Sequence, residues 1–221
     1  HWNVSGKKPW ERYNEVGGVH NVGENLALMG VLPKGELFST KNIYTLHNDF
    51  MNELPPEDGH KQQILRPEHT NVGIGLSYSK NKSGRSFLYL VQEFIDIYGE
   101  YQPVDKIINR GKPFEIRGKF FPGVKFEQIS IDWEPKPRKI APSLLKNTGS
   151  YSEGIDLVST ISLESDPEYV DLSMNKRQQI FSVKVQPDNH WKPGLYYIKI
   201  YAKLPHLNEP TLVSTRTFYL E

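Results

Sequence analysis

The sequence predicts an α+β chain in two parts, an N-terminal part that mixes helices with a β-hairpin and a C-terminal part built only of strands. Three observations carry this. Apolar residues recur at helical spacing from Ile43 to Leu54, and the period changes to two from Val72 to Tyr78. Beyond Gly99 about seven short β-type runs follow one another, broken by Pro, Gly and Asn, with no helical pattern among them.

Taken in order, residues 1 to 35 are punctuated by Gly17-Gly18, Gly23 and Gly30, which predicts loops around a helical turn or two near Glu24 to Met29. Ser39 or Thr40 caps the next element, whose apolar stripe Ile43, Leu46, Phe50, Met51 and Leu54 defines an amphipathic helix stopped by Pro55-Pro56. Asp58 opens a second short helix, Gly59 to Leu65, ended before Pro67. Val72, Ile74, Leu76 and Tyr78 then alternate with small residues in a half-buried strand, Asn81 to Gly84 turn the chain, and Phe87 to Tyr98 returns as the partner. Gly73 and Gly75 share a face there and leave room for a close backbone or ligand approach.

After a boundary that divides residues 1–101 from 102–221, the strands are Phe114 to Gly118, Phe126 to Trp133, Leu157 to Leu163, Tyr169 to Leu172, Ile180 to Val185, Leu195 to Ala202 and Leu212 to Leu220. Short strands without helices are the pattern of an antiparallel, immunoglobulin-like sandwich. Its core aromatics are Phe114, Trp133, Phe181, Trp191, Tyr196 and Phe218.

Composition excludes several classes. Lys and Arg number 27 against 26 Asp and Glu, with ten basic and twelve acidic residues in 1–101 and seventeen and fourteen beyond, so neither part carries the basic surface of a nucleic-acid binder. There is no cysteine, which removes disulfides, thiolate metal sites and cysteine nucleophiles. No apolar run approaches the roughly 18 residues of a transmembrane helix. No strand-to-helix elbow of the G-x-S-x-G type and no phosphate-cradling Gly loop occurs; Gly149-Ser150-Tyr151-Ser152 falls between strands. Trp133 to Lys139 is a Pro-rich basic loop that offers a surface to a polyanionic polymer.

Five of the seven histidines fall in the first 69 residues, which directs the search for chemistry there. His1, Glu24, Glu53 and His60 supply two imidazoles and two carboxylates, a donor set suited to one divalent transition metal such as zinc. Their spacing matches no local metal signature, so the residues alone leave convergence open. His47 lies inside the apolar stripe of its helix, as a hydrogen-bonded core histidine or a group behind the site.

The order of motifs adds to this. His1-Trp2 with Pro9-Trp10-Glu11-Arg12-Tyr13, then Gly23-Glu24-Asn25-Leu26-Ala27, a helix closing on Asn52-Glu53, Gly59-His60 opening a helix with Ile64-Leu65, Asn71-Val72-Gly73-Ile74-Gly75-Leu76 and Leu90-Val91-Gln92-Glu93-Phe94 together resemble the CAP superfamily. That superfamily joins cysteine-rich secretory proteins, antigen 5 and the pathogenesis-related proteins of group one; the likeness is to its cysteine-free bacterial extracellular branch and spans residues 1 to about 98. The resemblance implies an α-β-α sandwich over residues 1–101 that lacks its first helix, which is expected upstream of His1. It also implies a cleft bordered by His1, Glu24, Glu53 and His60, with Glu57 and Asp58 as neighbours competing with Glu53, and an extracellular or surface-attached location. The expected function is a binding module for a divalent metal or small ligand, with His1 and His60 as metal ligands. The alternatives are a metal-dependent hydrolase in which Glu24 and Glu53 are catalytic, and an adhesin whose β domain meets a cell-surface polymer.

Overall fold

A computed structural model of the chain describes residues 3–31, 39–145, 148 and 154–221. Along them run α1 (Pro9–Glu15), β1 (Asn21–Val31), α2 (Thr40–Met51), α3 (Gly59–Leu65), β2 (Asn71–Lys80), β3 (Ser86–Asp96), β4 (Gly99–Tyr101) and β5 (Ile107–Ile108). They continue through β6 (Phe114–Phe120), β7 (Lys125–Glu134), α4 (Pro142–Leu145), β8 (Asp156–Ser162), β9 (Val170–Asn175), β10 (Gln178–Val185), β11 (Gly194–Lys203) and β12 (Thr211–Leu220). Contacts group them into two compact units, one being Gly23–Ile95 and the other the described residues up to Val22 together with Asp96–Glu221. The sequence reading put one boundary at residue 101; the structure instead gathers the leading segment with the C-terminal strands.

The expected α+β class with an α-β-α sandwich is overturned. The described chain is mostly strand, arranged in three sheets, and its α-helices are short. The departure begins at residues 21–31, where a helical turn among loops was expected and an eleven-residue strand stands. Gly23 and Gly30 mask a period of two in which Asn25 is buried while Ala27 and Met29 pack on a core of Leu46, Phe50, Leu88 and Leu90. By lying against β3, this strand turns the expected hairpin into a three-stranded sheet of order β1-β3-β2.

Within the Gly23–Ile95 unit the helices form as their local chemistry dictates. The Ser39 hydroxyl accepts the Asn42 N–H at 3.3 Å and caps α2, whose Leu46 and Phe50 face the sheet. The core they build touches β1 and β3 but no residue of β2. The register Val72↔Phe94, Ile74↔Gln92 and Leu76↔Leu90 is that of the predicted hairpin. However, all ten residues of β2 are exposed, Ile74 at 63%, where a half-buried strand was expected. Alternation predicts that Val72, Ile74 and Leu76 share a face; it does not supply an element to cover that face. A Cβ placed on Gly73 or Gly75 would make only ordinary contact with Glu93 or Val91, so no close approach requires these glycines.

The second unit is a β-sandwich. A four-stranded sheet, β4-β6-β10-β9, and a five-stranded sheet, β5-β12-β11-β7-β8, share one core. All seven strands predicted beyond residue 102 are present, each within two or three residues of its expected ends. Ile116, Phe120, Phe181 and Val183 from one sheet meet Ile129, Ile131, Tyr196, Ile198 and Phe218 from the other, all essentially inaccessible to water. Each such side chain stabilises the unit by about 1.5–3 kcal/mol. Of the predicted core aromatics, Phe114 and Trp133 are only partly buried at its rim.

The outer face of the five-stranded sheet is covered by α1, a helix the sequence reading missed. Pro9 starts it, the Glu11 carboxylate accepts the Lys8 N–H at 3.1 Å, and Trp10 meets Tyr197 edge-on at 6.1 Å. No described helix is long and apolar enough to cross a membrane.

Candidate functional site

Of the four residues singled out from the sequence, the structure joins Glu53 and His60. Pro55-Pro56 end the helical register after α2 and return the chain at Gly59, so seven residues separate a carboxylate beyond one helix from the second position of the next. Asp58, at the N-cap of α3, makes no capping bond through its side chain. Glu53 takes that role instead. Its Oε2 accepts the backbone N–H groups of His60 at 3.0 Å and Lys61 at 3.4 Å, which are two of the donors a helix start leaves without partners inside the helix.

The other oxygen, Oε1, lies 2.5 Å from Nδ1 of the His60 ring. An ionised carboxylate only accepts, so Nδ1 carries a proton, and in the neutral form of the ring the lone pair lies on Nε2. Phe50 stacks on one face of the ring at 4.6 Å. The orientation is therefore fixed by a carboxylate at one edge and a phenyl face beneath, while the side chains stay part-exposed, His60 at 35% and Glu53 at 21%. Burial alone would push the Glu53 carboxyl up, but the hydrogen bond and charge of His60 and the N–H groups of Lys61 and His60 outweigh it and hold the carboxyl below its ordinary 4.5.

A buried polar chain supports this pair. Asn25 donates to the His60 carbonyl at 3.0 Å and to Gln92 Oε1 at 3.5 Å, and Gln92 Nε2 stands 3.1 Å from Nδ1 of His47. His47 thus lies behind the site, hydrogen-bonded as its place in the apolar stripe suggested. Asn25 and Gln92 lie inside two of the sequence motifs, yet nothing local shows that strands 67 residues apart bring them together. A Cβ at Gly23 would meet the Gln63 amide at 1.9 Å, so the flexible end of that side chain would have to move aside. Gln63 in turn bonds His69, which stacks on Phe94 at 4.9 Å.

Glu24 is half-buried on β1 beside Asn25, and Glu57 and Asp58 are exposed or intermediate at the loop before α3 without taking Glu53's place on His60. His1 lies outside the described residues, as does Gly149-Ser150-Tyr151-Ser152. Among the described residues no three His, Cys, Asp or Glu side chains are grouped so as to hold a metal ion. In the basic loop, Lys136 is occupied over the Tyr219 ring at 5.0 Å.

Fold and site together define a two-unit, β-rich protein that carries an oriented carboxylate–imidazole pair. No family profile matches the chain, and no curated protein matches it in sequence.

Proposed function

We propose that the Gly23–Ile95 unit is a binding module whose ligand is met by the His60 imidazole, held in one tautomer by Glu53. The observation that carries this is the 2.5 Å bond from Nδ1 to the carboxylate. A carboxylate behind a histidine fixes ring orientation and raises the basicity of the far nitrogen, the arrangement used wherever an imidazole must take a proton or a Lewis acid at Nε2. The motif order that resembles the CAP superfamily supports the same residues and an extracellular or surface setting, with the β-sandwich as an immunoglobulin-like companion. Among the described residues no three His, Cys, Asp or Glu side chains are grouped to hold a metal ion, and the Glu53 carboxylate accepts three hydrogen bonds. The ligand proposed for Nε2 is a divalent metal ion or a small molecule with a proton donor.

Zinc ion serves as a probe of that lone pair. In chelator-free protein the ring nitrogens of His60 are followed by long-range proton–nitrogen correlation during a zinc titration. Nε2 of His60 should respond first, the response should vanish in His60→Ala and weaken in Glu53→Gln. A zinc response confined to other histidines would overturn the reading.

The same geometry supports a second reading, a hydrolase in which His60 is the general base and Glu53 its orienting group, since a base oriented by a third group is the arrangement such catalysis needs. Turnover of ester or peptide libraries, abolished in His60→Ala, separates enzyme from binder.

A further inference from the structure

A cavity of about 340 Å³ lies in the β-sandwich unit, lined by Trp133, Trp191 and Tyr196 and, among others, by Asp156, Asp188 and Lys192. The strand register explains this composition. Phe218, Tyr196, Trp133 and Asp156 stand opposite one another in turn on β12, β11, β7 and β8, so their side chains form one row on the core side of the sheet. Phe218 and Tyr196 are closed to water, whereas Trp133 is partly buried and Asp156 is exposed. The row therefore leaves the core between Tyr196 and Asp156, and the cavity opens there.

The aromatic walls are held in place locally. Trp191 stacks on Tyr196 at 5.0 Å, and the Tyr196 hydroxyl donates to the Lys192 carbonyl at 2.8 Å. The Trp133 Nε1–H donates to the Pro193 carbonyl at 3.4 Å, and the bare backbone of Gly194 leaves the indole its place, since a Cβ there would meet Nε1 at 2.3 Å. Asp188 accepts the His190 N–H at 2.7 Å and so shapes the turn that leads to Lys192. The Lys192 Nζ lies over the Trp133 ring at 4.9 Å, on a long exposed side chain that can swing from the ring to a ligand oxygen. The lining thus pairs indole surface with carboxylates that only accept and an ammonium that only donates. A hydroxyl does both, so several hydroxyls on the edge of a ring with apolar faces satisfy both kinds of rim group while one face meets an indole. In the β-anomer of a glucose-configured pyranose every substituent is equatorial, which leaves only C–H groups on the faces and puts the hydroxyls at the edge.

We propose that this cavity binds a β-linked pyranose residue of glucose configuration, one C–H face on the Trp133 indole and its hydroxyls on Asp156 and Lys192. The site belongs to the sandwich unit alone and is independent of the Glu53–His60 reading.

The test uses the full chain with nitrogen-labelled tryptophan and two probes, methyl β-D-glucopyranoside and cyclohexanol, which shares the ring size but carries a single hydroxyl. The glucoside should shift the Trp133 indole N–H resonance saturably and leave in place that of Trp10, which packs on Tyr197 under α1. Asp156→Ala, a change at an exposed position, should weaken glucoside binding about tenfold. Trp133→Ala should abolish it. A Trp133 resonance that the glucoside does not move, equal binding of cyclohexanol, or a glucoside affinity unchanged in Asp156→Ala would overturn the proposal, and all three are read with Trp133 in place.

Discussion

Glu53 holds His60 twice, through the backbone N–H at 3.0 Å and through ring Nδ1 at 2.5 Å, so one carboxylate both starts helix α3 and orients the imidazole. Removing it separates these two effects. Glu53→Ala should lower stability by about 0.5–2 kcal/mol, the usual cost of a lost N-cap acceptor. Glu53→Gln keeps an acceptor for the helix but can offer its own N–H to the ring. It should retain most of the stability and still change the His60 tautomer, read from the ring nitrogen shifts. Unchanged ring nitrogens in Glu53→Gln would show that the carboxylate does not set the tautomer.

The pH dependence follows in sign. The Glu53 carboxyl lies below its ordinary 4.5 in the folded chain, so its contribution is fully present above 4.5 and is lost as pH falls through the lower, folded value. Urea midpoints measured downward from just above the ordinary carboxylate range should therefore separate wild type from Glu53→Gln at the start and converge as pH falls through the folded value. Glu115, held down by bonds from Ser182 and Arg117, adds an acid slope of the same sign to both proteins and cancels in the difference. Curves that diverge in acid would contradict the assignment.

The elements that could be read in the sequence are those fixed by neighbours. Ser39 and the Ile43 to Phe50 stripe specify α2, and alternation specifies the β2–β3 pair and the seven strands of the sandwich. Helix α1 was not legible, because seven residues with one core aromatic, Trp10, show no periodicity, and its anchor is a sheet whose Tyr197 lies far along the chain. Strand β1 was hidden by glycines whose reasons are tertiary, as at Gly23, where the Gln63 amide occupies the space of a side chain. In the site, Glu53 and His60 were singled out through the resemblance in motif order, since their spacing alone leaves convergence open, whereas the Asn25–Gln92–His47 chain depends on sheet order. Nothing in the pattern around Arg216 signals a buried cation, since a strand with Thr215 and Thr217 on either side reads as alternation of any kind.

Core and edge should respond differently to the same truncation. Ile198→Ala removes a side chain with no exposed surface between two sheets and should destabilise by about 2–5 kcal/mol, because the surrounding strands cannot collapse onto the void. Ile74→Ala, on the uncovered β2, should change stability by no more than about 0.5 kcal/mol. Denaturant unfolding followed by circular dichroism compares them. A large loss at Ile74 would mean that β2 is covered in solution.

The last prediction concerns the ion pair beneath α1. Lys8 is 4% exposed, its Nζ lies 2.6 Å from Glu134 and sits over the Tyr197 and Trp10 rings at 5.4 and 6.0 Å. The Tyr197 hydroxyl donates to the other Glu134 oxygen, and burial together with Glu134 pushes that hydroxyl well above its usual range. Two opposite effects compete in such a pair: the cost of removing both ions from water and their attraction in a poorly polarisable setting. The net contribution of the intact pair is therefore small, while half of it is costly. Lys8→Met alone leaves Glu134 buried with only a tyrosine donor and should destabilise by about 3–5 kcal/mol. Adding Glu134→Met removes the stranded charge, keeps much of the buried volume and should restore most of that loss. Thermal or urea unfolding of the two single variants and the double variant gives the coupling directly. A double variant as unstable as the sum of the singles would show that Lys8 and Glu134 contribute independently.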